Sequence, residues 1–309
     1  MSSSDGERVT TADAYLPAGR TPANLSIRAD SPTAEIVFDG DRAVGVRLLD
    51  GSIVRGRRMV LCAGTYGSPA ILMRSGIGPA SHLRAMGIPV RVDLPGVGAN
   101  LADHPGADAV TGYDGSAQSA PNLHSIATFH SAGAPAAGPP DLMLWVRDPF
   151  GDPPGFEIDA VLLKPRSRGS VRLRSADPSD PPRIALPGLH DPADVDRLVE
   201  GYRRALDVAE HVEVRREVAR PDATYPRTPA DVRRTVQEGA YSVPHVVGTC
   251  AMGPAPEDGA VVDASGRVHG TDGLFVVDAS IIPEPPSGFP HLITIMLAER
   301  LSERIASTR

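Results

Sequence analysis

Residues 59–78 leave little freedom in what this chain can fold into. Met59-Val-Leu-Cys-Ala63 reads as a buried strand, and Gly64 ends it. Ser68-Pro69 then opens a helix, with Pro at its first position and Ile71, Leu72 and Met73 behind it. Ser75-Gly76-Ile77-Gly78 stops that helix on glycine. A strand that passes through a glycine turn into a helix is the repeating step of a doubly wound α/β layer. The small pair Ala63-Gly64 at the turn also lets a ligand approach the backbone closely.

The flanking segments are predicted from alternation and turn signals. Asn24–Arg28, Ala34–Phe38, Ala43–Leu49 and Arg55–Leu61 read as short strands. Asp39-Gly40 and Asp50-Gly51 are hairpin dipeptides between them. From residue 104 to 190 the pattern changes: strand-like Asp141–Val146, Phe156–Leu163 and Ser170–Arg174 alternate with Pro/Gly-rich loops. Residues 192–218 and a segment from Thr228-Pro229 to Gly239 read as helices, the first with Val195, Leu198, Val199, Tyr202, Leu206 and Val208 at helical spacing. A last strand, Leu274–Val277, and a last helix, about His291–Ser307, return to the α/β layer. The predicted class is therefore α/β (α+β): a partial doubly wound layer with a smaller antiparallel-sheet domain. The expected boundaries are 1–103 for the layer, 104–240 for the smaller, substrate-binding domain, and 241–309 for the return to the layer.

Composition excludes some functions. The formal net charge is −7, so no basic field attracts nucleic acid or an anionic membrane. No stretch approaches the ~20 apolar residues of a membrane span, and the N-terminus shows no signal-peptide pattern. A soluble, cytoplasmic protein is expected. Cys62 and Cys250 are too few for a disulfide framework, and Cys62, after an apolar run, is expected to be buried. No Gly-x-Ser-x-Gly elbow is present, and His124 and His130 lack further ligands at metal-site spacing.

The chemistry concentrates in two histidines 46 residues apart. His245 stands in Tyr241-Ser-Val-Pro-His-Val-Val-Gly-Thr-Cys-Ala-Met-Gly253, and His291 in Pro286-Ser-Gly-Phe-Pro-His-Leu-Ile-Thr-Ile-Met296. Between them Gly273-Leu-Phe-Val-Val-Asp278-Ala-Ser280 is an apolar strand ending in Asp. Upstream lie the stretch Gly64–Gly78 and Pro95-Gly-Val-Gly-Ala-Asn-Leu-Ala-Asp-His-Pro105. Gly96-x-Gly98 is not a dinucleotide loop, because Leu101 replaces the third glycine and Pro105 follows where a phosphate-binding helix should run.

Taken together these segments resemble the glucose–methanol–choline (GMC) family of FAD-dependent alcohol oxidoreductases, over about Arg8 to Ile305. The resemblance implies FAD as cofactor and a small-molecule alcohol as substrate. It makes His245 the base that takes the hydroxyl proton while hydride leaves the carbon for flavin N5. His291, at a position held by His or Asn in the family, would hydrogen-bond the substrate oxygen. Thr294, Ile295 and Met296 would set a helix N-terminus against the flavin, favouring the reduced anion. Asp278 and Ala279 would reach the ribityl–pyrophosphate region. Ala63 and Gly64 would give close backbone approach, and Asn100 and His104 would line the flavin pocket unless they serve as loop staples. Thr33 would contact adenine through its backbone.

Members of that family begin with Gly-x-Gly-x-x-Gly after a first strand, and residues 1–60 contain no such run. The expected explanations are a split enzyme whose partner chain supplies that half, a truncated product, or a silent interaction module. A lyase acting on a cyanohydrin is a further alternative on the same scaffold. The loops expected to shape substrate choice, including Asp148–Gly155, carry no readable signal.

Overall fold

The computed structural model describes residues 3–4, 7–16, 22–112, 125–135, 137–150, 155–211, 225–226 and 228–307. The chain divides into two compact units, Met1–Pro32 and Thr33–Arg309. In the first, Ser3–Ser4 pairs with Glu7–Arg8 and a short helix covers Thr11–Tyr15. Thr10 and Asp13 cap that helix reciprocally. Asn24–Arg28, expected as a strand, is turn and irregular backbone.

The second unit opens with a three-stranded antiparallel meander: β1 (Thr33–Asp39), β2 (Arg42–Leu48) and β3 (Ile53–Arg55). Gly40 and Gly51 supply the positive φ its turns require, 56° and 83°. The expected strand Arg55–Leu61 is instead broken at residues 56–58. Its second piece, β4 (Met59–Leu61), pairs in parallel with a strand more than two hundred residues away. Along β4, Met59 and Leu61 are buried while Val60 is 44% exposed. Cys62 continues the Val60 face and is exposed, which corrects the expectation of a buried thiol. Alternation won over the apolar run because β4 is covered on one face among the described residues.

Helix α1 (Gly64–Arg74) begins five residues before the expected start, so Pro69 lies inside it. Proline lacks the N–H that would bond to the Thr65 carbonyl. That carbonyl instead accepts from the Thr249 hydroxyl at 2.6 Å, which is how the helix tolerates the proline. The helix stops at Ser75 with Gly76 at φ 81°. Ser75 Oγ donates to the Ile71 carbonyl and accepts from the Ile36 N–H, tying α1 to β1. Helix α2 (Ala80–Ala85) follows.

Five antiparallel strands make the second sheet: β5 (Ala102–Gly112), β6 (Ser125–Phe129), β7 (Leu142–Phe150), β8 (Gly155–Leu162) and, later in the chain, β11 (Tyr241–Val247), in the order β6-β7-β8-β5-β11. The hairpin β9 (Ser170–Arg172) and β10 (Arg183–Ala185) intervenes. Helices α3 (Pro192–Glu210) and α4 (Pro229–Gly239) follow. Each has an N-cap whose side chain accepts from the first turn, Asp191 or Thr228. Both carry Pro in that turn, where its missing N–H costs nothing. Residues 212–218 of the expected helix and 151–154 of the expected pocket loop lie outside the described residues. The chain closes with β12 (Leu274–Val276), the partner of β4, and α5 (Pro290–Ser307).

Among the described residues two large apolar cores form, beside two smaller clusters. One joins β1, β4, α1, α2 and β12 through Ile36, Leu61, Leu72, Met73, Leu83 and Phe275. The other packs α3 and α4 on the large sheet through Leu142, Ile158, Leu162, Leu198, Tyr202 and Val236. Each fully buried side chain of this kind contributes about 1.5–3 kcal/mol. The long strand β5 starts beside the first core and ends in the second sheet. The site is built at its start.

Candidate active site

Proline sets the local geometry twice. The first case is Pro244 in β11, an outer strand of its sheet. The β11–β5 ladder pairs Val243 with His104, then loses register until Val247 pairs with Ala102. Pro244 cannot donate to a ladder, so the strand bulges there. The His245 N–H turns instead to Asp103, donating to Oδ1 at 2.9 Å. The same oxygen accepts from the His104 N–H at 2.8 Å, and the Ser242 hydroxyl donates to Oδ2. One buried carboxylate thus fixes both histidines by their backbones. Burial pushes the Asp103 carboxyl above its ordinary pKa, while these three hydrogen bonds pull the other way.

The side chains then meet. His104 is fully buried, and its Nδ1 lies 3.1 Å from His245 Nδ1, with the rings edge to face at 81°. His104 Nε2 lies 3.1 Å from the Pro286 carbonyl oxygen. Burial lowers the His104 pKa to about 3, helped by the charge of His245 and Lys164 nearby, and burial lowers that of His245 to about 4. Both rings are therefore neutral at neutral pH.

The second case is the segment Pro283-Glu-Pro-Pro286, three of whose four residues have no N–H. Its carbonyls hold it in place. Asn100 donates to the Pro283 carbonyl at 2.9 Å, Lys164 to that of Pro285 at 2.5 Å, and His104 faces that of Pro286. This strap delivers Phe289, whose ring centroid is 4.9 Å from that of His245 and 5.2 Å from that of Trp145. Helix α5 starts one residue later. Its Ile293 and Leu297 pack against Ala102, Val247 and Ile282, so the segment bearing His291 lies on the strands that bear His104 and His245.

The remaining residues singled out by sequence fall into three kinds. Asp278 and Asn100 have their side chains occupied by the protein. Asp278 Oδ2 accepts from the Gly64 N–H (2.9 Å) and the Ser68 hydroxyl (2.6 Å), and Oδ1 from the Ser280 N–H. Asn100 has φ 53°, donates to the Pro283 and Gly248 carbonyls, and accepts from Arg168 Nε at 2.8 Å. Ala63, His291 and Met296 are exposed, with Leu292 at 67% and Met296 at 57%. Thr33, Gly64, Ala279, Thr294 and Ile295 are half-buried, and the Thr294 hydroxyl donates to the Pro290 carbonyl.

Gly64 has φ 74° and open space where a side chain would stand. It follows the carboxyl end of β4, where α/β layers bind their ligands. Apolar side chains stand exposed on the first turns of α5. The glycines Gly96 and Gly98 have a packing reason. A Cβ on either would stand 2.2 Å from the Gly259 oxygen or 2.3 Å from the Val171 oxygen, so they pack against protein backbone. Asp103, Lys164, Phe289 and Pro286 were not picked out by sequence reasoning. The adjacency of Asp103 to His104 was the available signal.

Among known proteins, the overall architecture is that of flavoenzyme-type oxidoreductases. Pyridoxine 4-oxidase from Mesorbium loti superposes with a TM-score of 0.86 at 30% identity, over 99% of this chain and 63% of that one. The 5-(hydroxymethyl)furfural oxidase of Methylovorus sp. (strain MP688) is 36% identical over 97% of this chain and 61% of its own length. The oxygen-dependent choline dehydrogenase 1 of Chromohalobacter salexigens is 32% identical over 97% and 60%. Models of the GMC oxidoreductase family match residues 1–106 and 165–298. The chain belongs to the GMC oxidoreductase family. It spans about three fifths of the length of these relatives.

Proposed function

We propose that this chain carries the acid–base half of an FAD-dependent oxidation of a small alcohol. The observation that carries the reading is His245: a neutral imidazole, fixed by Asp103 at its backbone and by His104 at Nδ1, with Phe289 against its ring. Nδ1 is taken by His104, so Nε2 is the nitrogen left for a substrate. His245 takes the hydroxyl proton there as hydride leaves the alcohol carbon. FAD, when bound, supplies the hydride acceptor.

His291 hydrogen-bonds the substrate oxygen. The first turn of α5, His291 to Ile293, presents the free N–H groups of the helix start to the flavin, where the helix dipole favours negative charge, and Thr294, Ile295 and Met296 follow in the second turn along the same cofactor. Ala63 and Gly64 give the cofactor close approach to the backbone, with Ala279 and the main chain of Asp278 beside them, and Thr33 contacts it through its backbone. His104 and Asn100 act from behind this surface, as staples. The phosphate clamp is a Gly-x-Gly-x-x-Gly segment that residues 1–309 do not contain, and a second polypeptide is one way to supply it. Phe289 and Trp145 offer an aromatic wall to the substrate, and the furan and pyridine alcohols implied by the names of the two oxidase relatives suit such a wall.

The test is anaerobic mixing of the flavin-loaded protein with an aromatic primary alcohol, reading loss of oxidised-flavin absorbance. The reading expects bleaching that His245→Ala slows strongly. Full-rate bleaching in that variant, or none with any alcohol in the unsubstituted protein, would refute it.

A further inference from the structure

We propose that His104 is a positioning residue that locks His245 in the tautomer with hydrogen on Nδ1 and a lone pair on Nε2. The proposal rests on His245 being the base and explains how that base is kept ready.

A carbonyl oxygen can only accept a hydrogen bond. Two carbonyls act on the His104 ring, those of Pro286 and Leu163; the Pro286 oxygen is 3.1 Å from Nε2, so that nitrogen carries hydrogen and donates. A neutral imidazole has one N–H, which leaves His104 Nδ1 as a lone pair. It faces His245 Nδ1 at 3.1 Å, and two ring nitrogens at that distance need one hydrogen between them. His245 Nδ1 supplies it, and the His245 Nε2 lone pair remains. Reversing the assignment would set a lone pair of His104 against those of Pro286 inside the protein, at the cost of an unmade buried hydrogen bond.

The lock has rigid ends. Asn100 and Lys164 hold the Pro283 and Pro285 carbonyls, and the Ser287 hydroxyl donates to the Pro140 carbonyl at 2.6 Å, so Pro286 is anchored from both sides. His104 and His245 share the Asp103 anchor. Burial keeps both imidazoles neutral, which the single-hydrogen count requires. The strap thus couples the sequence before α5 to the proton state of a residue on β11.

Nitrogen-15 labelling of the histidines in the full chain reads the tautomer directly. The expected spectrum has a pyridine-type Nε2 and a pyrrole-type Nδ1 on His245, with the reverse on His104. His104→Gln offers an amide N–H to Pro286 and an amide oxygen to His245, so it should preserve the His245 signature. His104→Leu removes the acceptor. It should move His245 toward hydrogen on Nε2 and slow alcohol-driven flavin reduction about 10-fold or more, with little change in KM. A pyrrole-type Nε2 on His245 in the unsubstituted protein overturns the proposal, as does an unchanged His245 spectrum in a folded His104→Leu. Should His104→Leu not fold, the unsubstituted and His104→Gln spectra decide. The expected spectra together with full-rate bleaching in His245→Ala would uphold the lock and reject His245 as the base.

Discussion

His245 and His291 sit in opposite surroundings. His245 is half-buried, its backbone bonded to a buried carboxylate, its Nδ1 against a second imidazole, and a phenyl ring packed on its face. His291 stands exposed at the first turn of α5, beside Leu292 at 67% exposure. The contrast teaches that the protein spends its interior on orienting one group. A proton acceptor must have the right nitrogen unprotonated and aimed, which demands fixed neighbours. A residue that only hydrogen-bonds a substrate oxygen can take its final position from the ligand it meets.

The largest expected effect is on the buried side of the comparison. His245→Ala should slow flavin reduction by alcohol about 10²- to 10⁴-fold, measured by stopped-flow absorbance. A loss below tenfold would put the base elsewhere. Next comes Asp103→Ala, which leaves the His104 and His245 N–H groups without their acceptor. It should lower stability by about 2–4 kcal/mol in a denaturant titration. An effect under about 0.5 kcal/mol, ordinary for a surface change, would mean that the carboxylate is not the anchor.

Acid should act on the same cluster. His104 titrates near 3 in the fold because of burial, against an ordinary ~6.5 in the unfolded chain. Above that unfolded value the group is neutral in both states and does not oppose folding. As pH falls below it the unfolded chain takes up the proton first, so stability declines down to about 3. The slope is on the order of 1.4 kcal/mol per pH unit, and His104→Gln should remove this group's share. The rate has its own acid limb: with burial holding His245 near 4, flavin reduction should stay level through neutral pH and fall only as pH drops through about 4. A limb near 6.5 would show that His245 is solvated in the working enzyme.

The smallest effect belongs to the exposed side. His291→Asn keeps a hydrogen-bonding group and should change the rate only a few-fold, on the order of 1 kcal/mol, and stability by less than about 0.5 kcal/mol. A collapse of activity as deep as that of His245→Ala would erase the asymmetry.

Much of this arrangement was legible along the chain. The hairpins at Gly40 and Gly51, the glycine stop at Gly76 and the capped starts of α3 and α4 are local devices, and local chemistry writes them plainly. The histidine frames were legible as segments. Their convergence was not, because His104 and His245 are 141 residues apart and His104 and Pro286 are 182 apart. Helix α1 was misread at its start because Pro69 is an interior residue rescued by Thr249, a partner 184 residues from the Thr65 carbonyl it satisfies. Cys62 was misread because an apolar run in a strand covered on one face still alternates. For the histidines and for α1 a long-range partner decided the outcome; for Cys62 it was the uncovered face of β4.

A double-mutant cycle on His245 and His291 reads whether the two imidazoles act on one substrate. Flavin reduction by alcohol is measured in the unsubstituted protein, His245→Ala, His291→Ala and the double variant. Two side chains acting on one substrate oxygen at one flavin face should be strongly coupled, so that adding His291→Ala to His245→Ala slows the reaction little further. Losses that simply multiply would place the two histidines at independent sites and rule out a shared substrate oxygen.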